Sequence, residues 1–177
     1  MTGGSINNTV LPEALVAMAR HVIEANSKLG RRIVVAESCT GGLVSAALTE
    51  IAGSSATFEG GFVTYSNAQK TAMLGVSPDV LDTFGAVSIA TAWAMAQGAL
   101  SRSDADVAVS ITGIAGPDGG SEMKPVGTVV FARAERGEDS ENIVADLRRF
   151  DDTGRGNIRV QAALCALELL LPDTPVE

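Results

Sequence analysis

Histidine is nearly absent: His21 is the only one in 177 residues. An imidazole-based metal site would have to draw on carboxylates and thiolates for which no ligand spacing is recognisable, so a zinc or iron enzyme is not expected and no cofactor is implied. Cysteine is equally scarce. Cys39 and Cys165 cannot form the disulfide framework of a small secreted scaffold, and without a Cys-x-x-Cys pair they are expected to be reduced thiols in the cytoplasm. The N-terminus lacks a basic stretch followed by an apolar one, and no apolar run approaches the roughly 20 residues needed to cross a bilayer, so neither a leader nor a membrane partner is expected. Positive charge is in deficit as well, with 13 Lys+Arg against 21 Asp+Glu and a net charge of -8. Nucleic acid is therefore not expected as a partner, because phosphate-backbone binding needs clustered cations. Aromatics make up only 4% of the chain, whereas hydrophobic residues make up 46% and there are 19 Gly. That combination fits one compact domain packed from small side chains.

The expected organisation is a flexible segment over 1–10, one domain over 11–172 and a flexible tail over 173–177. Leu15, Met18, Ala19, Val22 and Ile23 recur at helical spacing in a helix ending near Lys28 to Gly30. Arg32 to Glu37 reads as a buried strand that stops at Ser38-Cys39-Thr40-Gly41-Gly42, ahead of a helix over Leu43 to Ile51. Phe58 to Tyr65 has strand composition, and its Gly60-Gly61 pair suggests a bulge or a close backbone approach. Ser66-Asn67 can cap a helix, Ser77-Pro78 opens a short one through Leu81, and Ser88 precedes another over Ile89 to Leu100. Strands are expected over Asp106 to Thr112, Val126 to Ala134 and Asn142 to Phe150. Asp151 to Gly154 should then cap a last helix over Arg155 to Leu171. About five strands with helices for both faces give an α/β fold, a three-layer α/β/α domain with a mixed sheet.

Chemistry concentrates at the first strand's end. A Ser placed there, before a helix N-terminus, has backbone N–H groups near it that can hold an oxyanion, and two glycines let substrate approach closely. Ser38 is thus a candidate nucleophile, while the bland reading makes Ser38 or Thr40 an ordinary N-cap. The hydrolase elbow is ruled out, since Ala36 and Thr40 stand where Gly-x-Ser-x-Gly needs glycine. Cys39 beside the helix start is a lesser nucleophile candidate or a core filler. With histidine excluded, the candidate base is Lys70, one turn into the helix after Tyr65. Shielded from water, its ammonium is disfavoured and its pKa falls; the bland reading is an exposed helix lysine and a rim tyrosine. The Tyr65-to-Lys70 spacing is one residue too long for a short-chain dehydrogenase, and Ser121-x-x-Lys124 lies in a Gly/Pro loop where no helix starts. The Gly113 to Gly120 loop is either a structural turn or a cradle for an anionic or amide group. Arg155 and Arg159 share a helix face and can grip a phosphate, or else pair with Asp151 and Asp152.

Five ordered segments, Ala36 to Gly42, Gly60 to Lys70, Gly85 to Ser88, Thr112 to Gly120 and Pro125 to Val129, together closely resemble the CinA C-terminal-domain family. The resemblance spans about Leu15 to Leu171. It implies hydrolysis of the carboxamide of nicotinamide mononucleotide to nicotinate mononucleotide and ammonia, with no metal and with homo-oligomers, a dimer being the default. Carried over by position, Ser38 is the nucleophile, Lys70 its base and Tyr65 a hydroxyl that orients or relays the proton. Backbone around Cys39, Thr40, Gly41 and Gly42 would hold the oxyanion. Thr112 and Gly113 match a substrate-binding position, Arg155 an active-site arginine and Arg159 a second family arginine. The turn Phe150 to Arg155 is one residue longer than the family's usual one, which bears on the reach of Arg155. The family's competence-related name leaves a non-catalytic interaction module as the alternative, and an amidase for another carboxamide as a third reading.

Overall fold

The computed structural model describes residues 9–139, 144–151 and 153–173. The expected mobility of the two ends, the first two residues of the last strand and the part assigned to Asp152 fall on 1–8, 174–177, 142–143 and 152, outside the described residues. In chain order the elements are α1 (Glu13–Lys28), β1 (Ile33–Glu37), α2 (Leu43–Thr49), a 3-10 turn (Ser54–Ala56), β2 (Phe58–Val63), α3 (Asn67–Leu74), α4 (Pro78–Phe84), α5 (Ile89–Ser101), β3 (Val107–Gly113), β4 (Thr128–Glu135), β5 (Val144–Arg149) and α6 (Arg155–Leu169).

The strands form one five-stranded sheet in the order β2-β1-β3-β4-β5. β1 runs parallel to both β2 and β3, while β4 and β5 continue the sheet antiparallel. Parallel neighbours need helical crossovers, and these cover both faces, which is why β1 and β3 are buried along their length instead of alternating between buried and exposed. Period-two geometry then splits β1 between two cores. Ile33 and Val35 face α1, α2 and α6 with Leu15, Val44, Ile158 and Leu167, whereas Val34 and Ala36 face α3, α4 and α5 with Leu74, Met95 and Ala99. The three-layer α/β/α architecture with a mixed sheet is as expected.

Small residues set the layer spacing. A Cβ on Gly98 would lie 2.1 Å from the Leu74 carbonyl oxygen, so α5 approaches the end of α3 more closely than alanine permits. The bulge expected at Gly60-Gly61 falls one residue earlier, at Glu59, where the β1/β2 register shifts between Ile33 and Val34, and Gly61 is closely approached by a side chain, since a Cβ there would meet Ser45 Oγ at 2.1 Å. Local corrections concern the ends. α4 runs on to Phe84 and α6 stops at Leu169, while α6 starts at Arg155 as expected, with Gly154 of the expected capping segment at the N-cap position (φ 96°). Asp173, grouped with the tail by sequence, is held by Arg133 at 2.7 Å. Among the described residues no helix is long and apolar enough to cross a membrane.

Candidate active site

In a sheet ordered β2-β1-β3, the chain leaves β1 toward α2 on one face, while α5 covers the other. A crevice therefore opens at the carboxyl ends of β1 and β3. Ser38 stands at that point, its N–H still bonded to the Ile111 carbonyl at 2.9 Å. The following turn requires positive φ at Gly41 (59°) and Gly42 (92°), a conformation that side chains resist. Neither Ser38 nor Thr40 caps α2, whose N-cap is Gly42. The cap comes instead from Glu37 on the strand. Its carboxylate accepts from the amides of Gly42 (2.9 Å), Val44 (3.2 Å) and Ser45 (2.8 Å) and from the Ser45 hydroxyl (2.7 Å).

Across the crevice, Ser66 Oγ caps α3 by accepting from the Gln69 N–H, and Lys70 follows one turn in. Lys70 Nζ lies 2.9 Å from Ser38 Oγ and donates to the Thr64 carbonyl at 2.9 Å. Only 1% of Lys70 is exposed, so it is not a solvent-facing helix lysine. Desolvation lowers its pKa, and among the described residues no carboxylate forms an ion pair that would restore it. A neutral amine keeps a lone pair, which can accept the Ser38 hydroxyl proton. Cys39 is buried beside the pair, and burial, reinforced by Glu37, pushes its thiol up to about 11. It is therefore a neutral thiol near pH 7 and a poor rival to Ser38 as nucleophile.

The crevice is a cavity of about 230 Å³ bordered by Ser38, Cys39, Lys70, Tyr65, Thr112, Gly113 and Arg155. Tyr65, 60% exposed, stands at its mouth and its hydroxyl accepts from Arg155 at 2.7 Å. No hydrogen bond joins that hydroxyl to Ser38 or Lys70 among the described residues. Arg155 also donates to the Gly116 carbonyl at 2.7 Å, tying α6 to the Gly-rich loop. Thr112 donates to the Ala86 carbonyl at 2.8 Å, which fixes the β3 end against the segment entering α5. Four residues assigned to substrate binding from sequence do not border the cavity: Thr40, Gly41, Gly42 and Arg159. The Gly41 amide closes on the Ser38 carbonyl, the Gly42 amide on Glu37, and Arg159 donates to the Thr40 carbonyl at 2.7 Å, so these residues build the turn behind the serine. The two arginines thus go to different partners instead of forming one clamp. Neither makes an ion pair with Asp151 among the described residues, and Asp152 lies outside them. His21 is exposed on α1, and Ser121 to Lys124 is a loop.

The model of the CinA C-terminal domain matches residues 15–173. The chain belongs to that family. It is 52% identical over 141 residues to the nicotinamide-nucleotide amidohydrolase PncC of Enterobacter agglomerans, covering 80% of this chain and 84% of the relative. With PncC of Escherichia coli K12 it shares 50% over 157 residues, 88% of this chain and 92% of that one. A CinA-like protein of Shewanella loihica is 41% identical over 97% of this chain, which spans only 40% of that longer relative. Among solved structures, a competence/damage inducible protein from Agrobacterium tumefaciens superposes with a TM-score of 0.87 at 50% identity, covering 92% of this chain and 96% of that one.

In this CinA C-terminal domain the longer turn before α6 still delivers Arg155 to the Tyr65 hydroxyl. Several site groups were missed by sequence reasoning. The Thr64, Ala86 and Gly116 carbonyls are main-chain groups with no signature of their own. Asn67 and Val87, which also line the cavity, sit beside quoted motifs without a spacing that singles them out. Glu37 had a signal: a glycine at an N-cap position leaves helix amides without a local acceptor, and an acid five residues upstream can supply one.

Proposed function

We propose that this CinA C-terminal domain, acting as one unit over residues 11–172, hydrolyses the carboxamide of nicotinamide mononucleotide to nicotinate mononucleotide and ammonia, a salvage step in pyridine nucleotide cycling. The observation that carries the chemistry is the buried Lys70 Nζ 2.9 Å from Ser38 Oγ with no carboxylate ion pair among the described residues. The substrate is supported by the relatives at 50–52% identity whose names state that activity.

Neutral Lys70 takes the Ser38 hydroxyl proton as Oγ bonds to the amide carbon, giving a tetrahedral oxyanion. Lys70 then returns that proton to the amide nitrogen, the C–N bond breaks, and ammonia leaves an ester on Ser38. Water adds to the ester carbon with Lys70 again as base; the C–Oγ bond breaks, and the proton goes back to Ser38 as nicotinate mononucleotide departs. With the Gly41 and Gly42 amides engaged, the oxyanion donor is the Cys39 amide, since Cys39 alone of residues 39–42 borders the cavity. The neighbouring Cys39 sulfur is a weak acceptor as a neutral thiol, so an oxyanion outcompetes it. Tyr65 accepts from Arg155 and keeps its own O–H free to donate toward substrate at the cavity mouth. Thr112 and Gly113 shape the wall the nicotinamide ring meets. In this reading the protein is cytoplasmic and a homo-oligomer, a dimer by default, with the nucleotide as its only partner class.

The test is ammonia release from nicotinamide mononucleotide by the purified protein and by Ser38→Ala, with free nicotinamide as second substrate. Activity on the nucleotide that vanishes in Ser38→Ala is expected. An unmodified folded protein without activity, or an active Ser38→Ala, overturns the proposal.

A further inference from the structure

Glu37 is an acidic side chain that the hydrolytic steps do not use, at a fully buried position, with no cation paired to it among the described residues. An unpaired buried carboxylate is costly unless donors converge on it. Here four do, two on each oxygen, and three are amides at the positive end of α2. Position 42, held at φ 92°, suits glycine and so leaves α2 without a side-chain cap of its own. Reaching back to β1 instead references the helix to the strand that delivers Ser38.

The main chain of Glu37 does the matching task on the other side. Its carbonyl accepts from the Thr64 N–H at 2.8 Å, and the Thr64 carbonyl accepts from Lys70 Nζ at 2.9 Å. Glu37 therefore touches the turn carrying the nucleophile through its side chain and the segment anchoring the base through its backbone. Gly61 supports the same arrangement, because any Cβ there would displace the Ser45 hydroxyl from the space it occupies while bonded to Glu37.

We propose that Glu37 is a positioning residue for the hydrolysis, its carboxylate locking the Ser38-to-Gly42 turn to α2 so that Ser38 Oγ meets Lys70 Nζ in bonding register. The inference rests on the Ser38–Lys70 reading above. Since a displacement of about 1 Å in a reacting group can lower a rate about 10²-fold, the effect belongs in kcat. Glutamine at this position offers one acceptor oxygen and turns an NH2 group toward two donors, breaking half of the cap.

The experiment measures steady-state kinetics on nicotinamide mononucleotide for Glu37→Gln, Ser45→Ala and Ser38→Ala, with circular dichroism to verify folding. Glu37→Gln is expected to lower kcat about 10- to 100-fold with KM within about threefold and with the acid-limb midpoint of the pH profile unmoved, because that limb belongs to Lys70. A folded Glu37→Gln with kcat within about threefold of the unmodified protein, or one whose loss lies in KM alone, overturns the proposal. Should Glu37→Gln not fold, Ser45→Ala removes one of the four bonds and is expected to lower kcat about three- to tenfold at unchanged KM; an unchanged kcat there overturns it. A dead Ser38→Ala beside a fully active Glu37→Gln defeats this inference alone, whereas an active Ser38→Ala defeats both it and the reading beneath it.

Discussion

Replacing Lys70 with methionine keeps an unbranched side chain out to Cε and removes the amine, and the structure sets what should follow. Nζ makes two buried hydrogen bonds, to Ser38 Oγ and to the Thr64 carbonyl. Losing the second leaves a buried carbonyl short of a partner, a cost of about 1–3 kcal/mol. Against it stands the removal of a buried amine whose charged form burial disfavours, so the two terms oppose each other and the fold should survive. Activity has no such offset. A general base contributes about 10²- to 10⁴-fold, or about 3–5 kcal/mol of barrier, and no second base is within reach of Ser38 among the described residues. The assay is ammonia release from nicotinamide mononucleotide across pH, beside thermal unfolding. In the unmodified protein kcat/KM should climb with pH to a midpoint below the ordinary lysine value, because burial lowers the Lys70 pKa. The linkage runs the same way. Between that lowered folded pKa and about 10.4 the unfolded chain binds more protons, so this group's share of stability is present above about 10.4 and is lost as pH falls through the folded pKa. Lys70→Met should abolish both the acid limb and that share of the stability slope. A folded Lys70→Met within tenfold of full activity, or one that retains the acid limb, refutes the reasoning.

Arg155→Ala removes the partners of Tyr65 and the Gly116 carbonyl and should raise KM more than it lowers kcat. Tyr65→Phe should lower kcat/KM by about tenfold or less, since a single hydrogen bond is worth about 0.5–1.5 kcal/mol; a loss beyond about 10³-fold in Tyr65→Phe would make the tyrosine the proton acceptor instead. Two glycines should respond in opposite directions in thermal unfolding. Gly98→Ala meets the Leu74 carbonyl and should destabilise by about 1–3 kcal/mol, while Gly156→Ala, with open space around it in α6, should stabilise by about 0.4–1 kcal/mol. Titration of the free thiols near pH 8 should be slow until the protein is denatured. Burial raises both cysteines, and a thiol near 11 leaves on the order of 0.1% thiolate at Cys39; rapid labelling of the native protein would contradict this.

How much of the chain was legible in advance follows from the range of the forces involved. Strand and helix positions came from apolar periodicity and cap residues, which are local, so Ser66, Ser77 and Ser88 announced their helices and each caps one. The α6 start at Arg155 was legible in the same way from the Asp151-to-Gly154 capping segment, of which Gly154 takes the cap position. Ser38 and Lys70 stood out by residue type and by the scarcity of histidine.

Their separation of 2.9 Å did not, since it depends on β1 and β2 pairing in parallel and on the β2 bulge that sets where Thr64 and α3 fall. Likewise the sequence marked Cys39 to Gly42 as oxyanion donors, but the folded turn engages two of those amides, Gly42 with the Glu37 carboxylate and Gly41 with the Ser38 carbonyl, while Arg159 is drawn from across the fold to the Thr40 carbonyl. The chain by itself determined the element order, the layer architecture and the residue types able to do amide chemistry, because these rest on near-neighbour pattern. Burial of the lysine with no paired carboxylate among the described residues and the turn of Arg155 toward Tyr65 were decided by the packed structure, because each depends on elements that only the sheet and its crossovers bring together.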